Sequence, residues 1–120
     1  MFEIDMKSRI PIYEQLYKRI IEHIAQGVLK ADDPLPSIRK LAMELGVNPN
    51  TVSKAYSSLE SDGIIYSTST KGSRVMDNGE SIKKYQINIF DKAVIETLRV
   101  GFTPDELVDR VKEVGEKCSK

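Results

Sequence analysis

Cysteine, histidine and tryptophan are scarce in this sequence, and long apolar runs are missing. Among 120 residues there are one cysteine, one histidine and no tryptophan. The single thiol of Cys118 can form no internal disulfide, which is typical of a reducing cytoplasm. No apolar run approaches the roughly 18 residues that a membrane helix needs, and the acidic first residues do not resemble a secretory signal. We therefore expect a cytoplasmic protein without a membrane partner.

The scarcity of reactive side chains also argues against catalysis. His23 lies within a helical pattern and has no Cys, Asp or Ser partner at a known motif spacing, which favours a structural or surface role. Cys118 falls on an apolar stripe, which favours packing over nucleophilic chemistry. The sequence contains no Walker loop, no G-x-S-x-G motif and no metal-spaced set of His and Cys. We expect no enzyme, no cofactor and no metal.

Neither sign of charge is in excess. The chain has 18 Lys and Arg against 18 Asp and Glu, and the residues up to Met76 hold 10 basic and 9 acidic side chains. A protein that attracts nucleic acid through its overall field is expected to be basic. Any affinity for DNA must therefore come from the local placement of a few side chains.

The first long pattern predicts an amphipathic helix. Apolar residues recur at every fourth position from Ile12 to Ile24, which predicts a helix over residues 11–26. Proline is favoured in a first helical turn and glycine just after a last one, as at Pro11 and Gly27. The following residues, 28–36, contain two prolines and are predicted to form an ordered loop.

Two further helices are predicted close together. Ser37 is a suitable N-cap for a helix of about nine residues, which Gly46 ends. Asn48 and Pro49 are a suitable N-cap and first residue for the next helix, which runs to about Asp62. Two helices joined by a few residues around a glycine are typical of a helix-turn-helix.

After the third helix, the apolar residues no longer recur at helical spacing. Residues 64–68 are rich in β-branched and aromatic side chains, residues 69–72 favour a turn, and residues 73–76 favour a return strand. A hairpin directly after a helix-turn-helix is a wing. We therefore predict a mainly α fold with a small β wing, in which residues 1–76 form a winged helix-turn-helix domain.

Residues 77–120 are predicted to form a helical hairpin. Its first helix is indicated over residues 85–98, Gly101 breaks the pattern, and residues 103–106 form a capping box that starts a second helix. A hairpin of this size cannot bury both of its apolar stripes alone, so we expect it to dimerise. The predicted dimerisation residues are Phe90, Val94, Leu98, Leu107, Val111 and Val114.

The exposed side of the third helix carries the pattern that points to function. Once the side with Val52 and Leu59 is buried, the opposite side is polar and short-chained and carries no carboxylate. Asn can pair with adenine, Ser and Thr reach bases or phosphates, and Lys reaches phosphate or guanine. The predicted DNA-binding residues of this helix and its start are Asn48, Asn50, Thr51, Ser53, Lys54 and Ser57.

Other residues are predicted to contact the DNA backbone. Arg39, close to Ser37 at the start of the second helix, suits a phosphate clamp, whereas its neighbour Lys40 suits an ordinary solvated surface. Lys71 and Arg74 flank Gly72 at the expected wing tip, where a phosphate or minor-groove contact is typical. The remaining predicted DNA-binding residues are Ser37, Arg39, Lys71, Gly72 and Arg74.

Three runs make a specific resemblance. LPSIRKLA (residues 35–42), GVNPNTV (46–52) and AYSSLESDG (55–63) closely resemble the GntR family of bacterial regulators, as does the Pro-Ile-Tyr that opens the first helix. The short two-helix tail resembles the YtrA subfamily. The resemblance implies a homodimer bound to a near-palindromic operator, with Arg39 matching a backbone-contacting arginine and Gly72 a wing glycine.

The chain also departs from that pattern. Many GntR proteins carry arginines where this sequence has Pro49 and Ser53, so base preferences cannot be copied from them. Genes for members of this subfamily often lie beside genes for ABC transporters, which suggests control of an efflux or stress operon. We expect a repressor that binds double-stranded operator DNA; the alternative is a winged helix that contacts only proteins. Nothing in the sequence marks an effector pocket.

Overall fold

The computed structural model describes residues 2–76 and 79–118, which fall into two units, Met1–Ile82 and Lys83–Lys120. The sequence analysis set the domain boundary after residue 76. Of the residues expected at that boundary, Asp77 and Asn78 lie outside the described ranges. The elements follow the chain in the order α1 (Ile12–Ala25), α2 (Ile38–Leu45), α3 (Pro49–Ser61), β1 (Ile65–Thr68), β2 (Gly72–Val75), α4 (Gly79–Arg99) and α5 (Pro104–Cys118).

The first helix forms as its apolar period predicts. Pro11 is the N-cap, one position before the first turn, and Gly27 adopts a φ of +78° just after the last turn. Leu16 and Ile20 of the stripe are completely buried, and α1 packs against α3. The stripe therefore provides one wall of the core.

The helix-turn-helix forms through local capping, as predicted. The Ser37 hydroxyl accepts a 3.1 Å hydrogen bond from the Lys40 amide at the start of α2. Gly46 ends α2 in the left-handed region with a φ of +69°, which a residue with a side chain rarely adopts. The Asn48 side chain accepts a 2.8 Å bond from the Asn50 amide, and Pro49 opens α3.

The wing is an antiparallel hairpin in which Ile65 pairs with Val75 and Thr68 with Gly72. Both strands lie one residue from their predicted start: Ile64 is buried ahead of β1, and β2 begins at Gly72. Ile65 and Val75 are buried beneath the sheet, because alternate side chains of a strand point to one face.

The loop before α2 also pairs with the wing, which the sequence analysis did not predict. The Asp32 amide donates to the Val75 carbonyl (2.8 Å), the Val75 amide to the Asp33 carbonyl (3.0 Å) and the Leu35 amide to the Ser73 carbonyl (2.9 Å). The loop therefore runs antiparallel along β2 and forms an isolated bridge there, in which Pro34 lies opposite Arg74. Its prolines obscured this pairing, since proline cannot donate to a ladder.

The second unit contains most of α4 and all of α5. α4 begins at Gly79, earlier than the predicted residue 85. Gly101, with a φ of +109°, lies in the turn that separates α4 from α5. The predicted capping box forms: the Thr103 amide donates to Glu106 Oε1 (3.0 Å) and the Glu106 amide to Thr103 Oγ1 (3.2 Å). No described helix combines the length and apolar character needed to cross a membrane.

Candidate nucleic-acid interface

The structure places one polar, accessible surface on α3. Val52, Ala55, Tyr56 and Leu59 are buried, as predicted, which turns the opposite side of the helix outward. We call this side the polar face of α3; it carries no carboxylate. Of its members, Ser53 is half-buried and the others are exposed. The polar face consists of Asn50, Ser53, Lys54, Ser57 and Ser61.

The one carboxylate of α3 is held beside the wing. Glu60 Oε2 accepts a 3.2 Å hydrogen bond from the hydroxyl of Ser67 on β1. This contact directs the negative charge toward the hairpin and away from the polar face. The arrangement leaves the polar face with one formal charge, the positive charge of Lys54.

Two tyrosines fix α3 in place. The Tyr56 hydroxyl donates a 2.7 Å bond to the Pro36 carbonyl, which ties the middle of α3 to the loop before α2. Burial, with a further effect of the Glu44 carboxylate, raises the pKa of Tyr56, so this donor stays protonated well above neutral pH. Near the other end, the Tyr17 hydroxyl of α1 donates to Asp62 Oδ2. The polar face is therefore carried on a helix braced at two points.

Lys54 makes a contact that the sequence analysis did not predict. Its Nζ lies 3.9 Å from the centroid of the Tyr13 ring, on the first turn of α1. This is a cation–π geometry, since a cation within about 6 Å of a ring face is attracted by it. No sequence pattern pairs these two positions, because the contact depends on how α1 crosses α3.

The basic residues at the start of α2 are accessible. Arg39 is exposed, and across residues 2–76 and 79–118 its side chain makes no hydrogen bond or ion pair. Lys40 is exposed as well, and Ser37 uses its hydroxyl to cap the helix. Arg39 is therefore available to an external anion, as its predicted phosphate contact requires.

The wing turn holds Lys71 and Gly72 in a defined conformation. The Lys71 amide donates 2.8 Å to Thr68 Oγ1, and Gly72 adopts a φ of +71°. Both residues are exposed, which matches their predicted position at the wing tip.

Arg74 does not lie at the tip, and its predicted placement is corrected. It lies within β2 opposite Tyr66, half-buried, and its Nη1 donates 2.7 Å to the Asp32 carbonyl. Its Nε is buried with no partner in the described part of the chain. The strand pairing directs the guanidinium toward the loop before α2, so its clearest role is to brace the wing.

Asp32 is the residue that organises this brace, and the sequence analysis did not single it out. It has a φ of +66°, the only non-glycine positive φ in the described ranges. Its carbonyl binds Arg74, and its Oδ1 accepts a 2.7 Å bond from the Tyr66 hydroxyl. Aspartate tolerates a positive φ better than most residues. The residue type at position 32 is therefore the one feature of the sequence that could have indicated this turn.

The apolar stripes of the second unit are open. No residue of α4 or α5 is buried, and Phe90 and Val111 are 48% and 54% exposed. Of the predicted dimerisation residues, Val94 and Leu107 are half-buried and the others are exposed. The two helices enclose a groove of about 430 Å³ with a largely apolar lining. The groove is lined by Phe90, Ala93, Val94, Thr97, Leu107, Arg110, Val111, Val114 and Gly115.

Residues 12–75 match the family described as "Bacterial regulatory proteins, gntR family". The chain belongs to the gntR family. This membership confirms the predicted family, the winged-helix fold and the prediction of a regulatory protein over an enzyme. Among the described residues, no three His, Cys, Asp or Glu side chains are grouped as metal ligands would be.

Individual proteins that resemble this chain are named as transcription regulators or DNA-binding domains. The HTH-type transcriptional repressor YtrA of Bacillus subtilis (strain 168) is 43% identical over 81 residues, covering 68% of this chain and 62% of that protein's length. YtrA from Sulfolobus acidocaldarius, a GntR-family transcription factor, is 36% identical with a TM-score of 0.61 and covers 99% of this chain and 100% of its own. AraR(DBD) in complex with operator ORX1 is 29% identical with a TM-score of 0.56, covering 62% of this chain and 95% of its own.

Proposed function

We propose that this gntR-family chain is a transcription repressor that binds a near-palindromic operator as a homodimer. The observation that carries the proposal is the polar face of α3, which is exposed except at the half-buried Ser53, is free of carboxylates and lies on a helix held by the Tyr56 hydrogen bond. Two similarities support it: one relative is named a transcriptional repressor, and AraR(DBD) is complexed with an operator. The protein would act in the cytoplasm, where bacterial DNA lies.

In this proposal α3 enters the major groove. The base edges are met by Asn50, Ser53 and Ser57. An amide side chain can form two hydrogen bonds with adenine, and a hydroxyl can donate or accept one. Asn48 and Thr51 stand at the start of α3, where unpaired backbone amides favour a phosphate. Lys54 contacts the backbone at the edge of the helix.

The remaining contacts position the domain and carry no sequence information. Arg39 neutralises a phosphate from the start of α2, with Ser37 beside it. Lys71 and Gly72 bring the wing turn to a neighbouring phosphate or the minor groove. Arg74 contributes by holding the wing in place, since its Nη1 already binds the Asp32 carbonyl.

The tail forms the dimer in this proposal. Both helices expose apolar side chains around one groove, and a second copy would cover them. Two-fold symmetry would then present two α3 helices to half-sites about one helical turn, roughly 34 Å, apart. The dimerisation residues are Phe90, Val94, Leu98, Leu107, Val111 and Val114. No effector is proposed.

Fluorescence anisotropy with the full chain tests the function. The protein is titrated against a duplex from the region upstream of its own gene and against a scrambled duplex, at several salt concentrations. We expect binding to the upstream duplex about a thousandfold tighter, with log affinity falling linearly with log salt. Equal, weak binding to both duplexes at every salt concentration would contradict the proposal and favour a winged helix that contacts only proteins.

A further inference from the structure

The contact between Tyr13 and Lys54 joins a half-buried ring to an exposed cation. Tyr13 lies in the first turn of α1 and is half-buried. Lys54 Nζ lies 3.9 Å from the ring centroid, and the residue as a whole stays exposed to solvent. The ring covers one side of the ammonium group, which carries three donors. The other side can still donate to an external acceptor.

Lys54 stands at the edge of the polar face, on the side of α1. At about 100° per residue, Asn50 and Ser57 lie near the centre of that face and Lys54 lies to one flank. The Tyr13 contact shows that this flank is the one next to α1. When a helix lies in the major groove, its centre meets base edges and its flanks meet the phosphates that form the groove walls.

We propose that Tyr13 is a positioning residue for DNA binding, whose ring holds the Lys54 ammonium at the flank of α3 where a phosphate is met. This inference rests on the proposed function. A lysine that is mobile in solution loses rotamer freedom when it contacts DNA, whereas one already held on a ring loses less. Tyr13 would thus increase affinity without touching DNA itself.

A double-mutant cycle tests this coupling. Binding to the upstream duplex is measured by anisotropy for wild type, Tyr13→Leu, Lys54→Met and the double variant, with Tyr13→Phe as the matched control that keeps the ring. We expect Tyr13→Leu to weaken binding about two- to fivefold and Tyr13→Phe to stay close to wild type. In the Lys54→Met background, Tyr13→Leu should have no further effect.

Salt dependence gives a readout that a purely structural role would not move. Lys54→Met should reduce the slope of log affinity against log salt by about one, as the loss of a phosphate contact does. Tyr13→Leu should lower the slope by a smaller amount, because an unrestrained Lys54 would occupy the phosphate contact only part of the time, and Tyr13→Phe should leave the slope unchanged. Thermal melts monitored by circular dichroism check folding, and Tyr13→Met replaces Tyr13→Leu in the cycle if the leucine variant does not fold.

The contrary outcomes are distinct. Equal weakening by Tyr13→Leu in both backgrounds would mean that Tyr13 only packs α1, and tighter binding would mean that the ring withholds Lys54 from DNA; either result overturns the inference and leaves the proposed function standing. A wild-type protein that does not distinguish the upstream from the scrambled duplex would overturn both.

Discussion

The Tyr66 hydroxyl donates a 2.7 Å hydrogen bond to Asp32 Oδ1, joining the wing to the loop before α2. The two residues are 34 positions apart in sequence. Arg74, the cross-strand neighbour of Tyr66, binds the Asp32 carbonyl. Asp32, in a left-handed conformation, thus accepts hydrogen bonds from two adjacent side chains of the hairpin.

Substitutions of Asp32 should separate backbone conformation from hydrogen bonding. Asp32→Asn keeps an acceptor and tolerates the φ of +66°, so its stability should stay near wild type. Asp32→Ala loses the Tyr66 bond and puts alanine, which adopts a positive φ less readily than aspartate or asparagine, at this position, so we expect a loss of about 1 kcal/mol in the free energy of unfolding. Urea denaturation measures both, and an alanine variant as stable as the asparagine variant would refute the brace.

Arg39→Ala should weaken binding to operator and scrambled DNA alike. Arg39 is exposed and unpaired within the described ranges, and a phosphate contact carries no base preference. The slope of log affinity against log salt should fall by about one. Lys40→Ala, which removes an exposed charge from the next position, is the matched control and should change little. Unchanged affinity for Arg39→Ala would exclude its phosphate role.

Val111→Glu should convert the proposed dimer to a monomer. Val111 lines the groove between α4 and α5, and a carboxylate there would be desolvated if a second copy covered the groove. Val108→Glu makes the same change on α5 at an exposed valine outside the groove, and should remain dimeric. Sedimentation equilibrium distinguishes the two states. If Val111→Glu sediments as a dimer, the groove is not the interface.

The free energy of unfolding should fall at alkaline pH because of the buried hydroxyl of Tyr56. Burial and Glu44 raise the pKa of Tyr56 in the folded chain above the value near 10 of an unfolded one. Above about pH 10 the unfolded chain therefore releases this proton while the folded chain keeps it, so the free energy of unfolding falls as pH rises.

Tyr56→Phe provides the comparison. It should lose about 1 kcal/mol at neutral pH through the missing bond to the Pro36 carbonyl, and its stability should fall less steeply above pH 10. Urea denaturation at pH 7, 9 and 10.5 measures both effects. Parallel curves for the two proteins across this range would rule out the Tyr56 contribution.

The secondary structure of this chain was predictable where neighbouring residues determine it. Ser37 and Asn48 cap the helices that follow them, Gly46 takes the left-handed turn, and Thr103 and Glu106 form their capping box. Helix boundaries were less predictable. The start of α4 was predicted at residue 85, whereas the helix begins at Gly79, because glycine has a low helix propensity and does not mark a helix start in the sequence.

The sequence by itself determined which faces are apolar, which polar face of α3 turns outward and which family the chain joins, because these depend on local periodicity and on contiguous motifs. Only the tertiary structure decided the contacts of Tyr13 with Lys54, and of Tyr66 and Arg74 with Asp32. Each joins residues distant in sequence. Their meeting depends on how α1 crosses α3 and on a proline-containing loop pairing with β2, and no local pattern encodes either arrangement.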